Sequence, residues 1–95
     1  MTNITHVPFY SMFGYPRGEL RPVQIPMGSQ ILGVGMDRHS QICLHIRADV
    51  SRQKEPITVF ICGDGDKLSP AATTYVGAVT FKDVTYHVFV NTPSA

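Results

Sequence analysis

The sequence predicts an all-β protein, a small antiparallel β-sandwich or barrel of about six to seven strands. Three observations carry this. Runs of β-branched and aromatic residues recur at ~10-residue spacing, with Gly, Pro, Asn or Asp between them. No stretch of useful length repeats with a helical period. The run Ile57-Thr58-Val59-Phe60-Ile61-Cys62 has no charge, reads as a strand buried on both faces, and stops at Gly63-Asp64-Gly65-Asp66, the strongest turn signal in the chain. That run is the expected central strand.

Taken in order, residues 1–18 are an aromatic N-terminal arm or edge strand, and residues 19–95 a single β domain. Phe9, Tyr10, Phe13 and Tyr15 fall within seven residues, between Pro8 and Pro16. Val7–Phe13 reads as a first strand over the chain's own core, its ends blunted by proline, or as an arm on another subunit. Gly18–Arg21 is a turn, Val23–Pro26 a short strand, and Met27-Gly28-Ser29 a turn in which Gly28 supplies a positive φ. Gln30–Met36 is a strand whose Gly33 and Gly35 bare one face, leaving room for a backbone or an aromatic ring. After the hairpin loop Asp37–Ser40, Gln41–Asp49 alternates: Ile42, Leu44 and Ile46 on one side, Cys43, His45 and Arg47 on the other. Val50–Pro56 reads as a charged, exposed loop. Past the central strand, Gly63–Thr74 is a long connection in which Ser69–Ala72 has room for one helical turn. Tyr75–Phe81 is a strand with Tyr75, Gly77, Val79 and Phe81 on one face. Lys82-Asp83 is a two-residue link without the favoured glycine. Val84–Val90 closes the fold, with Tyr86, Val88 and Val90 on one side and Thr85, His87 and Phe89 on the other, and a tail follows from Asn91.

Composition excludes some functions. A chain of 95 residues makes one domain with one modest core. Eight basic and seven acidic residues give a net charge of +1, and the bases are scattered, so a phosphate-tracking nucleic-acid surface is not expected. Charged residues are 16 % of the chain, against a typical ~25 %. A surface so low in charge suits burial against a protein partner or a second copy. No apolar run reaches the ~18 residues of a membrane span. The start Met1-Thr2-Asn3 carries no secretory signal, which places the expected location in the cytoplasm and keeps Cys43 and Cys62 reduced.

Catalytic and metal chemistry find little support. The two cysteines lack metal-ligand spacing, and no Cys-x-x-Cys or His-x-x-x-His pair exists. His45 and His87 would make a soft metal site only if their strands were neighbours. Cys62 ends the most buried strand, a poor setting for a nucleophile. Asp64 and Asp66 suit an Asx-type turn better than a cation. No catalytic residue, metal ligand or cofactor is assigned, and the expectation is that the protein is not an enzyme.

Several segments, in order, resemble a family of short proteins of unknown function encoded by phages and prophages. They are Val23-Gln24-Ile25-Pro26-Met27-Gly28-Ser29-Gln30-Ile31-Leu32-Gly33-Val34, then Gly63-Asp64-Gly65, Tyr75-Val76-Gly77-Ala78-Val79 and His87-Val88-Phe89. The resemblance covers about Val23 to Val90. It implies a phage or prophage source and a β fold, and it brings no activity. The expected function is that of an accessory protein that binds a host or phage protein, inhibiting host machinery or antiviral defence, with a homo-oligomer as the expected assembly. Phe9, Tyr10, Phe13 and Tyr15 are the candidate contact residues. A second class is a sponge for a nucleotide immune signal at a subunit interface, with Arg38, Arg47 and Lys67 as its cations. A third is a minor virion or scaffold component.

Overall fold

The structure, a computed structural model, describes residues 1–12, 18–19 and 22–91. In chain order the strands are β1 (Asn3–Ser11), β2 (Gly18–Glu19), β3 (Val23–Pro26), β4 (Gln30–Met36), β5 (Gln41–Ala48), β6 (Lys54–Cys62), β7 (Thr74–Phe81) and β8 (Val84–Asn91). They form two antiparallel sheets packed as a sandwich. One sheet runs β1-β5-β4; the other runs β2-β6-β8-β7, with β3 on the same flank of β6 as a second short partner. Among the described residues, no helix is long and apolar enough to cross a membrane.

Alternation builds the core. Ile42, Leu44 and Ile46 of β5 face Ile57, Val59 and Ile61 of β6 and Val88 and Val90 of β8, joined by Tyr10, Ile25 and Ala48. Burying such side chains stabilises the fold by roughly 1.5–3 kcal/mol each before conformational entropy is subtracted. β6 is central to its sheet and buried on both faces: besides Val59 and Ile61, Phe60 and Cys62 are covered although they point away from the core cluster.

Turn chemistry sets the hairpins. Lys82 and Asp83 both have positive φ, 49° and 64°, which is the mirror-image turn that matches strand twist, built here without glycine. In the β4–β5 loop the Ser40 N–H donates to the Asp37 carbonyl, and Ser40 itself takes φ 57°. That is a type I turn closed by a left-handed residue. The Asp37 carboxylate accepts the backbone N–H groups of His39 and Gln41 at 2.8 and 3.0 Å.

The structure departs from the sequence expectations in four places. β1 begins at Asn3, four residues before Val7, because β5 is long enough to pair with all of it. Phe13 and Tyr15, with Pro16 and Arg21, lie outside the described residues. Gly18 and Glu19 are a strand rather than a turn, paired with Ile61 and Phe60. Lys54-Glu55-Pro56 is strand rather than loop, because β3 runs alongside it. In β7, a bulge between Tyr75 and Gly77 breaks strict alternation. Tyr75 therefore turns outward, while Val76 and Val79 both pack on the core.

Candidate functional site

Three regions gather the residues with chemical potential. The first is the outer face of the larger sheet. β6 and β8 pair so that Cys62 lies opposite His87 and Phe60 opposite Phe89, and the β7 bulge sets Tyr75 opposite Phe89. The Tyr75 ring meets Phe89 edge-on at 5.1 Å. His87 uses both ring nitrogens: Nε2 lies 2.9 Å from Asp64 Oδ1 and Nδ1 lies 3.2 Å from the Tyr75 hydroxyl. The neutral ring satisfies both contacts when Nε2–H donates to Asp64 and Nδ1 accepts from the phenol. Asp66 holds the same turn from within, its carboxylate accepting the Gly63 N–H at 2.8 Å. The bond runs back to a residue three earlier rather than two residues on, so it is not the Asx-type turn expected of Asp64 and Asp66, and Asp64 instead reaches out to tie the turn to β8.

The second region is the outer face of the smaller sheet. His45 lies over Gly35, where an added Cβ would sit 3.0 Å from the imidazole. This is the ring packing that the bare glycine face suggested. The neighbour of His45 is His6 of β1, ring to ring at 6.5 Å. His87 is on the other sheet, so the supposed His45–His87 pair does not form. Among the described residues, no group of three or more His, Cys, Asp or Glu side chains is placed to hold a metal ion. Cys43 is buried beside the hairpin loop, its thiol 3.7 Å from Asp37 Oδ2 and 3.6 Å from the Gln41 carbonyl. Burial, and then the Asp37 carboxylate, push the thiol above its ordinary range, so at neutral pH it stays protonated and weakly nucleophilic. No disulfide joins Cys43 and Cys62.

The third region is β1 itself. Tyr10 is buried in the core and Phe9 packs against it, so both spend their area within the chain. What β1 offers outward is its edge. Among the described residues no strand pairs on the side away from β5, the nine residues from Asn3 to Ser11 include no charge, and Ile4 is 74 % exposed.

The proposed ligand cations are not brought together. Arg38 sits in the hairpin loop at one end of β5 and Arg47 near the other, separated by about 20 Å of strand. Lys67 is in the connection after β6. Arg47 instead meets Gly28 and Arg52 around a small cleft. Sequence reasoning missed Arg52 there, and missed the Asp64–His87–Tyr75 chain, because both depend on strand pairings between distant segments. The signal that was present is the spacing of β5, whose outward face includes Arg47.

A family model described as Domain of unknown function (DUF7352) matches residues 16–95, a span that contains β2 to β8 and leaves β1 outside. None of the curated proteins and none of the solved structures matches the chain.

Proposed function

The chain belongs to the DUF7352 family of domains of unknown function, and on that premise we propose that it is a non-enzymatic binding module whose partner is a protein. The observation that carries this is the outer edge of β1. A strand edge presents a row of backbone N–H and C=O groups that another extended segment can satisfy. Folded proteins guard such edges with charges, prolines or bulges. In β1 the guards are confined to one half, where Pro8 stands beside a bulge between Pro8 and Tyr10. The other half, Asn3-Ile4-Thr5-His6-Val7, has neither charge nor proline, and Ile4 projects beside it. A partner strand laid there gains main-chain hydrogen bonds and an apolar contact together.

The partner in this reading is a host or phage protein, and the chain a phage or prophage accessory factor acting in the cytoplasm. The order of the segments from Val23 to Val90 supports that source. A second copy of the chain is the competing occupant. Ile4→Glu tests the edge, because Ile4 lies opposite Arg47 and a carboxylate there is tolerated by the fold. The expected result is that the wild-type chain retains one identified host or phage protein by affinity capture and Ile4→Glu does not. The melting temperature should stay within about 3 °C, as for a surface change. An unchanged capture profile would remove the edge from the proposal. Mass measurement across concentration then separates a second copy from a different protein.

A further inference from the structure

Near the start of β1, a cleft of about 230 Å³ is lined by Thr2, Gly28, Arg47, Asp49 and Arg52 among others. Its walls come from four parts of the chain: the residues before β1, the β3–β4 turn, the end of β5, and the β5–β6 loop. Each of the last three holds its residue in place. Gly28, at φ +78°, turns the chain so tightly that an added Cβ would lie 3.2 Å from Arg52 Nη1, so the guanidinium rests against a bare backbone. The Met27 N–H donates to the Gln53 carbonyl, tying this turn to the loop that carries Arg52. The Arg52 N–H donates to the Asp49 carbonyl and closes that loop. Arg47 projects from β5 between Ile4 and Gln30.

The charges in the cleft are two guanidiniums against one carboxylate. The carboxylate has other donors, though the Arg52 charge acts on it as well: Asp49 Oδ1 accepts the Ser51 N–H at 3.1 Å and the Ser51 hydroxyl at 2.6 Å, and Oδ2 lies 3.7 Å from the Met1 ammonium. Among the described residues, no carboxylate lies within ion-pair distance of Arg47 or Arg52. Two exposed arginines lining one small polar cleft suit an oxyanion better than a neutral ligand, because a guanidinium is a planar fork of donors that fits phosphoryl oxygens. The volume falls below the ~300–1,000 Å³ of sites that swallow a drug-sized molecule. It accommodates a phosphoryl group and leaves the rest of a larger ligand outside.

We propose that the cleft between the Gly28 turn and the Arg47–Arg52 segment binds a phosphoryl group, with both guanidiniums donating to its oxygens. The site adjoins the β1 edge, since Ile4 lies opposite Arg47, but its readout, phosphate binding, is separate from protein capture. The test is titration of the isotope-labelled full chain by two-dimensional NMR, at constant ionic strength. Inorganic phosphate is used in one arm and adenosine 5′-monophosphate in another, with chloride alone as the control. Saturable shifts centred on residues 27–29 and 47–52 are expected in both phosphate arms. Tighter binding of the nucleotide identifies a phosphate ester as the source, and equal binding identifies the free phosphoryl anion. Arg47→Gln and Arg52→Gln should each weaken binding about tenfold or more, and together abolish it. Gly28→Ala should weaken it by displacing Arg52, and the spectra themselves report whether each variant is folded. Linear shifts without saturation, the same shifts with chloride, or affinities unchanged in folded Arg→Gln variants would overturn the site.

Discussion

Asp37 does more for the fold than its place in a surface loop suggests. Its carboxylate accepts two backbone N–H groups and faces the Cys43 thiol. The Gln41 hydrogen bond is the main cause that holds it below its ordinary value of 3.8, with His39 adding to it against partial desolvation. A carboxyl depressed by folding stabilises the native state fully above its unfolded value. That contribution is lost as pH falls through the lower folded value. Denaturation midpoints measured from neutral pH down to about pH 3 should therefore decline at the acid end for the wild type. Asp37→Ala should lower stability at neutral pH and shrink the acid decline, because it removes the group that titrates. An acid limb of the same size in both proteins would show that another carboxyl, such as Asp49, carries it.

At the scale of elements, the β7–β8 hairpin is held in register by a turn whose two residues both occupy the left-handed region. For L side chains that conformation costs about 1 kcal/mol or more per residue. Lys82 offsets part of this by placing its ammonium 5.4 Å from the centre of the Phe81 ring. Asp83→Gly relieves one of the two strained positions while leaving Lys82 in place. A gain of about 0.5–1 kcal/mol is expected, partly offset by the freedom glycine adds to the unfolded chain. Urea denaturation reads it directly, and a loss would mean that the Asp83 side chain makes a contribution larger than its backbone strain.

The whole molecule depends on how its two sheets meet along β4 and β7. Gly77 of the β7 bulge, at φ +156°, approaches Val34 of β4 so closely that an added Cβ would lie 3.2 Å from Val34 Cγ2. Val34 packs against the core, so it has little room to yield. Gly35, one residue further along β4, has an equally tight neighbour, but that neighbour is the end of the exposed His45 ring. Gly77→Ala should cost about 1–3 kcal/mol, whereas Gly35→Ala should stay within about 1 kcal/mol and merely swing the imidazole away from His6. Thermal denaturation of the two variants side by side checks this, and equal losses would mean that the sheets do not close through Gly77.

Alternation in β5 and β8, the uncharged run in β6, and the turn signals at Gly28 and Asp37–Ser40 were legible because each is local: the period of side chains along a strand is written in neighbouring residues. The same locality explains why the ends of β1 and β6 were misplaced, since a strand is as long as its partner allows. The bulge at Tyr75–Gly77 was equally invisible, because an extra residue changes the face of every side chain before it without altering composition. Above all, pairing decided the candidate sites. That β6 lies beside β8 brings Asp64 to His87, that β1 lies beside β5 brings His6 to His45, and that the Gly28 turn is tied to Gln53 brings Arg52 to Arg47. The amino-acid order alone specified an all-β chain and which side chains share a strand face. Only the folded arrangement specified which faces and edges meet, because contacts between distant segments arise from packing and backbone pairing rather than from any property of one segment.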